Sequence, residues 1–426
     1  MNCLLTCNRL LFLTLIALVL PCTLQAKTIY VDDVRNNGIG SESQPFNDLQ
    51  FALDVVQPGD VIFLNPGNYT GSWTTARSGT ADQRIYIDGA SRTRTTLNGR
   101  SLADKTGLVV LHDFYSISRM TFRNHVGNGI TVAGAFSNTG FIESIHISDC
   151  RFVRNGRGEN GGHGILIENA SDVFIGDVNC DYNGTNGATI LNCAGGNIRR
   201  SKFNRNRGRN ESEGLAFINS QFFTVSDCEA RLNAESGFDS SIFEPIARSA
   251  NDILFQNCAA MSNGAEGFSV NGTLTGNQIS RAHRFVRCLA FSNNDGGFNI
   301  YENAREVTII NCTALRNKNR GVSNFDGGNG ILIANSLFWG NKSPDGAADD
   351  AGGDPSVYTA NYNYWSALAP GFGGIRGAND VPTGSRLGFA PNFQLRTNSD
   401  LIDRGSREFG VEFLGNAPDL GWSERE

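Results

Sequence analysis

Nine asparagines, Asn124, Asn155, Asn183, Asn206, Asn233, Asn263, Asn293, Asn317 and Asn341, recur through the middle of this chain at intervals of 23 to 31 residues. Four of them close an obvious common pattern: Cys228-Glu-Ala-Arg-Leu-Asn233, Cys258-Ala-Ala-Met-Ser-Asn263, Cys288-Leu-Ala-Phe-Ser-Asn293 and Cys312-Thr-Ala-Leu-Arg-Asn317. A period of that length marks a stacked repeat, in which one unit makes a single circuit of a coil and buries its apolar face only against its neighbours. Short strands flank each pattern, and a glycine (Gly237, Gly267, Gly297 and their equivalents) stands at a corner. About three strands per circuit, without the leucine and helix signals of a leucine-rich repeat, predict an all-β fold, a right-handed parallel β-helix. The asparagines read as structural: Asn tolerates the left-handed conformation at a tight turn, and its amide bonds its copy on the next rung. Phe238, Phe268 and Phe298, each 30 residues apart, are expected to stack inside the coil.

The ends differ from the middle. Residues 1–26 hold Arg9, the apolar run from Leu10 to Leu20 and a small-residue exit at Ala26, the composition of a cleaved secretory signal. A secreted or periplasmic location follows, and no second apolar stretch suggests a transmembrane segment. Residues 27–343 are expected to form the β-helix with its amino-terminal cap. In that cap Pro45 opens a helix whose Phe46, Leu49, Ala52, Leu53 and Val56 cover the raw apolar end of the coil. Ser343 to Gly353 reads as a mobile loop, and residues 344–426 as an irregular cap and tail. Because a solenoid grows by adding rungs, the 426 residues are expected to form one elongated domain, a monomer.

Removing residues 1–26 leaves seven cysteines, and five of them, Cys150, Cys228, Cys258, Cys288 and Cys312, occupy one repeat position. They read as an inward ladder of small apolar side chains. Disulfides between rungs remain an alternative, since stacked strands lie only about 4.8 Å apart. The formal charge of −6 becomes −7 without Arg9, which argues against nucleic acid as a partner. An anionic polymer would need a cation as mediator.

Side chains alternate along a strand, so the residue after each inward Phe points outward. That column reads Asp239, Ser269, Asn299 and Ser323, and the position before each glycine reads Glu213, Ser236, Glu266, Gly296 and Arg320. Acids therefore gather on adjacent rungs: Glu213, Glu235 and Asp239, then Glu266 and Asp295. Such a group suits a hard cation with oxygen ligands, Ca²⁺ foremost, or else a solvated acidic turn edge. The scattered histidines and inward cysteines exclude a zinc cluster.

The segments Asn233-Ala-Glu-Ser-Gly-Phe-Asp239, Asn263 to Gly272, His283, Cys288 to Asn293, Gly297-Phe298 and Asn311 to Asn317 together resemble the pectate lyases of polysaccharide lyase family nine. The resemblance implies a calcium ion held at Glu213, Glu235, Ser236 and Asp239, where the family carries four aspartates. It also implies a catalytic base at the position of Ser269, where the family carries lysine. No lysine stands between Lys202 and Lys318, so Arg281, His283 and Arg284, in the segment that follows, are the other candidates for a base. β-Elimination removes the C5 proton of a uronate, acidified when a cation neutralises the adjacent carboxylate. Two functions follow: a lyase acting on an acidic polysaccharide such as pectate by cation-assisted β-elimination, or a non-catalytic carbohydrate-binding or surface protein that kept the scaffold without the lysine.

Overall fold

The computed structural model describes residues 25–424 apart from 35–37, 101–104, 135–139, 159–160, 209–211, 244–249, 274–278, 326 and 391. The signal expected over residues 1–26 lies outside them but for its last two residues.

Each repeat folds into three short strands, for example Leu254–Gln256, Ala259–Met261 and Phe268–Asn271. The next repeat lays Arg284–Val286, Leu289–Phe291 and Phe298–Tyr301 on them in parallel, pairing Phe255 with Phe285, Ala260 with Ala290 and Phe268 with Phe298. Like positions accumulate into three sheets. Sheet A has 13 strands from Thr28–Val31 to Tyr358–Asn361, sheet B has 12 from Gly67–Thr70 to Tyr364–Trp365, and sheet C has 11 from Trp73–Thr74 to Ala351–Gly352. The fold is the β-helix that the repeat predicts.

In-register stacking puts identical side chains on top of one another, and the core follows from that. Phe238, Phe268 and Phe298 stack with centroids 5.1 and 5.0 Å apart and rings within 9° of parallel. Phe255 and Phe285 form a second stack at 5.2 Å. Each such pair contributes about 0.5–1.5 kcal/mol beyond the area it buries. All seven described cysteines are buried, and none is in a disulfide. The thiols of Cys258, Cys288 and Cys312 point to the carbonyls of Val225, Phe255 and Phe285 one rung back, which resolves the disulfide alternative in favour of the inward ladder.

The asparagine ladder runs from Asn155 to Asn341. At each step both the backbone N–H and Nδ2 of one Asn donate to Oδ1 of the next; for Asn233 and Asn263 the distances are 3.1 and 3.0 Å. At the far end Asn341 Nδ2 donates to Asp350 Oδ1 at 2.8 Å. Two details differ from expectation. The left-handed conformation falls on the residue before each ladder Asn, such as Arg154, Leu232 and Ser262, so the turn and the ladder are served by different residues. Asn124 lies in that preceding column, with φ 59°, and the buried His125 takes the ladder place, its N–H donating to Asn155 Oδ1 at 3.3 Å. The corner glycines make room for the ladder: a Cβ on Gly237 would sit 2.8 Å from Asn263 Nδ2.

The amino-terminal helix is shorter than expected, Leu49–Val55, and Asp48 starts it by accepting from Gln50 N at 2.9 Å. Pro45 cannot open it because Phe46 is extended, its N–H bonded to Tyr30 O and its carbonyl to Asp32 N. At the other end the coil continues past residue 343. Asp350 is fully buried, Ala351–Gly352 joins sheet C and Trp365 stacks on Phe338 at 4.4 Å. Residues 381–390 and 392–422 then lie along the outside of sheet B, where Val381, Leu395, Leu401 and Leu420 cover the outward Leu289, Leu315 and Leu337.

Candidate functional site

The outer face of sheet C carries the residues singled out above. Asp239, Ser269, Asn299 and Ser323 stand in register on successive strands. Two residues further along the strands, Asn271 pairs with Tyr301. In the turn before the strands, Glu213, Ser236, Glu266, Gly296 and Arg320 follow one another, each carbonyl accepting from the glycine N–H of the rung before. Glu235, Ala265 and Asp295 form a parallel column one residue earlier, linked by Ala265 N to Glu235 O and Asp295 N to Ala265 O.

These columns close into one polar network centred on Glu266. Its Oε2 accepts from Ser236 Oγ at 2.7 Å, and its Oε1 accepts from Tyr301 OH at 2.7 Å and from Asn299 Nδ2 at 3.4 Å. Asn299 also donates to Tyr301 OH at 2.7 Å and accepts from Ser323 Oγ at 2.7 Å. Gly296 permits this, because a Cβ there would lie 2.1 Å from Asn299 Oδ1. On the neighbouring rung Asn271 Nδ2 donates to both Asp239 Oδ1 and Ser269 Oγ at 2.9 Å. Burial, then the charge of Glu266, pushes the Tyr301 phenol up, so it stays protonated. Burial likewise pushes up the Asp295 carboxyl, opposed by the amide of Asn319 and assisted by Glu266. Arg320 reaches over Gly352 and pairs with Asp349 at 2.8 Å.

Of the expected calcium ligands, Glu235, Ser236 and Asp239 stand on one rung and Glu213 on the rung before it, in the column of Ser236. Glu266 and Asp295 lie one and two rungs beyond Ser236. Calcium takes six to eight oxygens at about 2.3–2.6 Å, whereas among the described residues no three His, Cys, Asp or Glu side chains converge to hold a metal ion. Ser236, at a position where the resemblance implies an aspartate, directs its hydroxyl to Glu266 instead.

The candidate bases are dispersed. Ser269 is on sheet C, 5% exposed, with its hydroxyl held by Asn271. His283 is fully buried in the corner leading to sheet A, its ring bonded to Ser280 Oγ at 2.8 Å, and burial lowers its pKa to about 3. Such a histidine packs the core and does not face a ligand. Arg284 is on sheet A beside Leu254 and Thr308, and Arg281 bridges Asn251 and Arg305 on the same side, so neither is brought to the outer face of sheet C. Sequence reasoning missed Tyr301 and Asn271. The signal for them was the period of two, which continues outward from Asn299 and Ser269.

Comparisons with known proteins accord with this architecture. The family model described as "Pel9A-like, right handed beta helix region" matches residues 29–329. Pectate lyase L of Dickeya chrysanthemi is 27% identical over 416 residues, covering 92% of this chain and 88% of the relative, and pectate lyase L of Dickeya dadantii (strain 3937) is 26% identical with the same coverage. Among solved structures, pectate lyase Pel9A superposes with a TM-score of 0.59 at 21% identity, covering 94% of this chain and 96% of that one. The A-module of the Azotobacter vinelandii mannuronan C-5 epimerase AlgE6 superposes at 0.56 with 14% identity, covering 79% and 93%.

Proposed function

We propose that this chain, which belongs to the Pel9A-like family of right-handed β-helix proteins, is an exported polysaccharide lyase that cleaves a uronic-acid-containing polymer on the outer face of sheet C. The observation that carries the reading is the 2.7 Å hydrogen bond from Tyr301 OH to Glu266 Oε1, which joins a proton donor to a proton acceptor on one half-buried face. Glu266 takes the C5 proton of a uronate, and the C5–H electron pair becomes the C4–C5 double bond. The C4–O bond then breaks with its pair on oxygen, which takes the Tyr301 proton. The proton on Glu266 returns along the hydrogen bond to Tyr301, so both groups are reset. A raised phenol pKa keeps Tyr301 protonated for this role. Calcium belongs to this reading as an ion that the acids Glu213, Glu235 and Asp239 would share with the polymer, neutralising its carboxylates. Among the described residues no helix is long and apolar enough to cross a membrane, and export rests on the leader read from the sequence.

A second reading is a binding protein without catalysis, favoured by serine at 269 in a stretch that has no lysine between Lys202 and Lys318. One panel separates the two. Polygalacturonate, alginate and other uronans are incubated with the protein, with and without Ca²⁺, and unsaturated product is followed near ~235 nm, since the new double bond is conjugated with the carboxylate. The lyase reading expects absorbance to grow and Tyr301→Phe or Glu266→Gln to slow it about 10²–10⁴-fold. Polymer binding by the wild type without absorbance growth leaves the binding protein.

A further inference from the structure

The outer face of sheet B is divided. Its carboxy-terminal half presents Leu289, Leu315 and Leu337 and is covered by the tail, whereas its amino-terminal half is charged and, among the described residues, uncovered. There a cleft of about 330 Å³ is lined by Arg92, Thr96, Arg123, Arg151, Arg154 and Tyr182, among others. A chain of net charge −6 thus gathers four guanidinium groups at one place. Arg92 pairs with Asp149 at 3.3 Å, but among the described residues Arg123, Arg151 and Arg154 make no ion pair. Among the described residues the acids near the patch are Asp149 and Asp177, beside Arg92, Asp181, near Arg151, Arg205 and Lys202, and Glu229, in register with Lys202. Positive charge remains in excess.

The arrangement is ordered along the coil. Arg154, Tyr182 and Arg205 occupy one corner column on successive rungs, all with left-handed backbone (φ 56°, 58° and 56°) that turns their side chains outward. Tyr182 is 51% exposed, and the Arg205 guanidinium lies over one face of its ring, 5.6 Å from the centroid. A ligand running along the axis meets a guanidinium, an aromatic face and another guanidinium at steps of about 4.8 Å. Guanidinium groups bind carboxylates in a planar, bidentate fashion, and an exposed aromatic face suits the apolar face of a sugar ring.

We propose that this half of sheet B is a second binding surface for a carboxylate-bearing polysaccharide, separate from the face of sheet C. The identity of the polymer rests on the uronan reading above; the existence of the surface does not. It gives the protein a hold on an acidic chain that is independent of the reacting residues.

The test uses the full chain and measures binding to polygalacturonate and to alginate by calorimetry at low and high salt, with a DNA oligonucleotide as a polyanion lacking carboxylates. The variants are R123T/R151T/R154N and Y182N, in which Asn is chosen because it accepts the left-handed backbone of positions 154 and 182. Glu266→Gln reports on sheet C. The expected result is binding of a uronan that weakens with salt, is about tenfold weaker or more in both sheet B variants, and persists in Glu266→Gln, all with unchanged melting temperatures. Unchanged uronan binding in the triple variant overturns the proposal, as does absence of uronan binding by the wild type at low salt. DNA bound as tightly as uronan and indifferent to Y182N overturns the sugar assignment. If the lyase reading alone fails, absorbance near ~235 nm stays flat while the loss of binding in the sheet B variants remains.

Discussion

Replacing Asn263 by alanine tests the ladder at its centre. The side chain is fully buried and makes four hydrogen bonds. Its Oδ1 accepts from Asn233 N and Nδ2 at 3.1 and 3.0 Å, and its Nδ2 donates to Asn293 Oδ1 at 3.0 Å and Ala230 O at 3.1 Å. After truncation Asn293 Oδ1 keeps the Asn263 N–H, and Asn233 Nδ2 keeps Phe203 O. The Asn233 N–H loses this acceptor in a dry interior. Four bonds at a net ~1 kcal/mol each, with a further ~1–3 kcal/mol for the stranded N–H, give a loss of about 5–7 kcal/mol. Asn124→Ala is the control, since the repeat alone marks the two positions alike. Asn124 is half-buried, its Nδ2 reaches Asn98 Oδ1 at 3.3 Å, and its left-handed backbone disfavours alanine, so its cost is about 1–2 kcal/mol. Guanidinium denaturation of both variants, with hydrogen exchange at the Asn233 amide, measures the difference. Equal costs within ~1 kcal/mol would refute the assignment of the ladder as a buried, shared hydrogen-bond column.

Other perturbations probe other parts of the molecule. Phe268→Ala, which empties the middle of the Phe238–Phe298 stack, is expected to cost about 3–5 kcal/mol by denaturant unfolding. Leu395→Asp places a charge at a buried tail position over sheet B, so limited proteolysis should cut residues 381–422 faster while the circular dichroism of the coil is kept. Stability should also fall in acid. Burial lowers the pKa of His283 to about 3 and of His125 to about 4, so the unfolded chain takes up these protons first as pH drops below its ordinary value of about 6.5. Each histidine then removes up to about 1.4 kcal/mol per pH unit until its folded pKa is reached. Unfolding free energies measured from pH 7 to 4 should show this slope, and His283→Gln should reduce it.

The inward half of the molecule was legible because its determinants repeat. Phenylalanines 30 residues apart, five cysteines in one position and a glycine at each corner all reflect one requirement, that a side chain must pack on its own copy. The ends were less legible because they break that rule. Phe46 was assigned to the helix stripe by spacing, but its backbone is consumed by Tyr30 and Asp32. Residues 343–353 looked polar and free, yet the acid Asp350 is the buried terminus of the ladder, where it also accepts from Ser366 and Ala367. The covering of sheet B had a visible signal in Leu289, Phe291, Leu315, Leu337 and Trp339, apolar residues at outward positions that need a partner.

The candidate site follows a different rule, which explains why its column was found and its contacts were not. An outward position has no copy to match, so residues there vary from rung to rung, and side-chain length decides what meets what. Glu213, Ser236 and Glu266 follow one another in a column, but the column alone does not say that the serine turns its hydroxyl to Glu266. Tyr301 stands 35 residues from Glu266 in the chain, yet its length carries its hydroxyl back across Gly296 to that carboxylate. The frame is therefore set by what repeats, and the chemistry by the few outward residues that depart from the repeat. Ser236, Gly296 and Tyr301 are the departures that turn a row of repelling acids into a hydrogen-bonded pair.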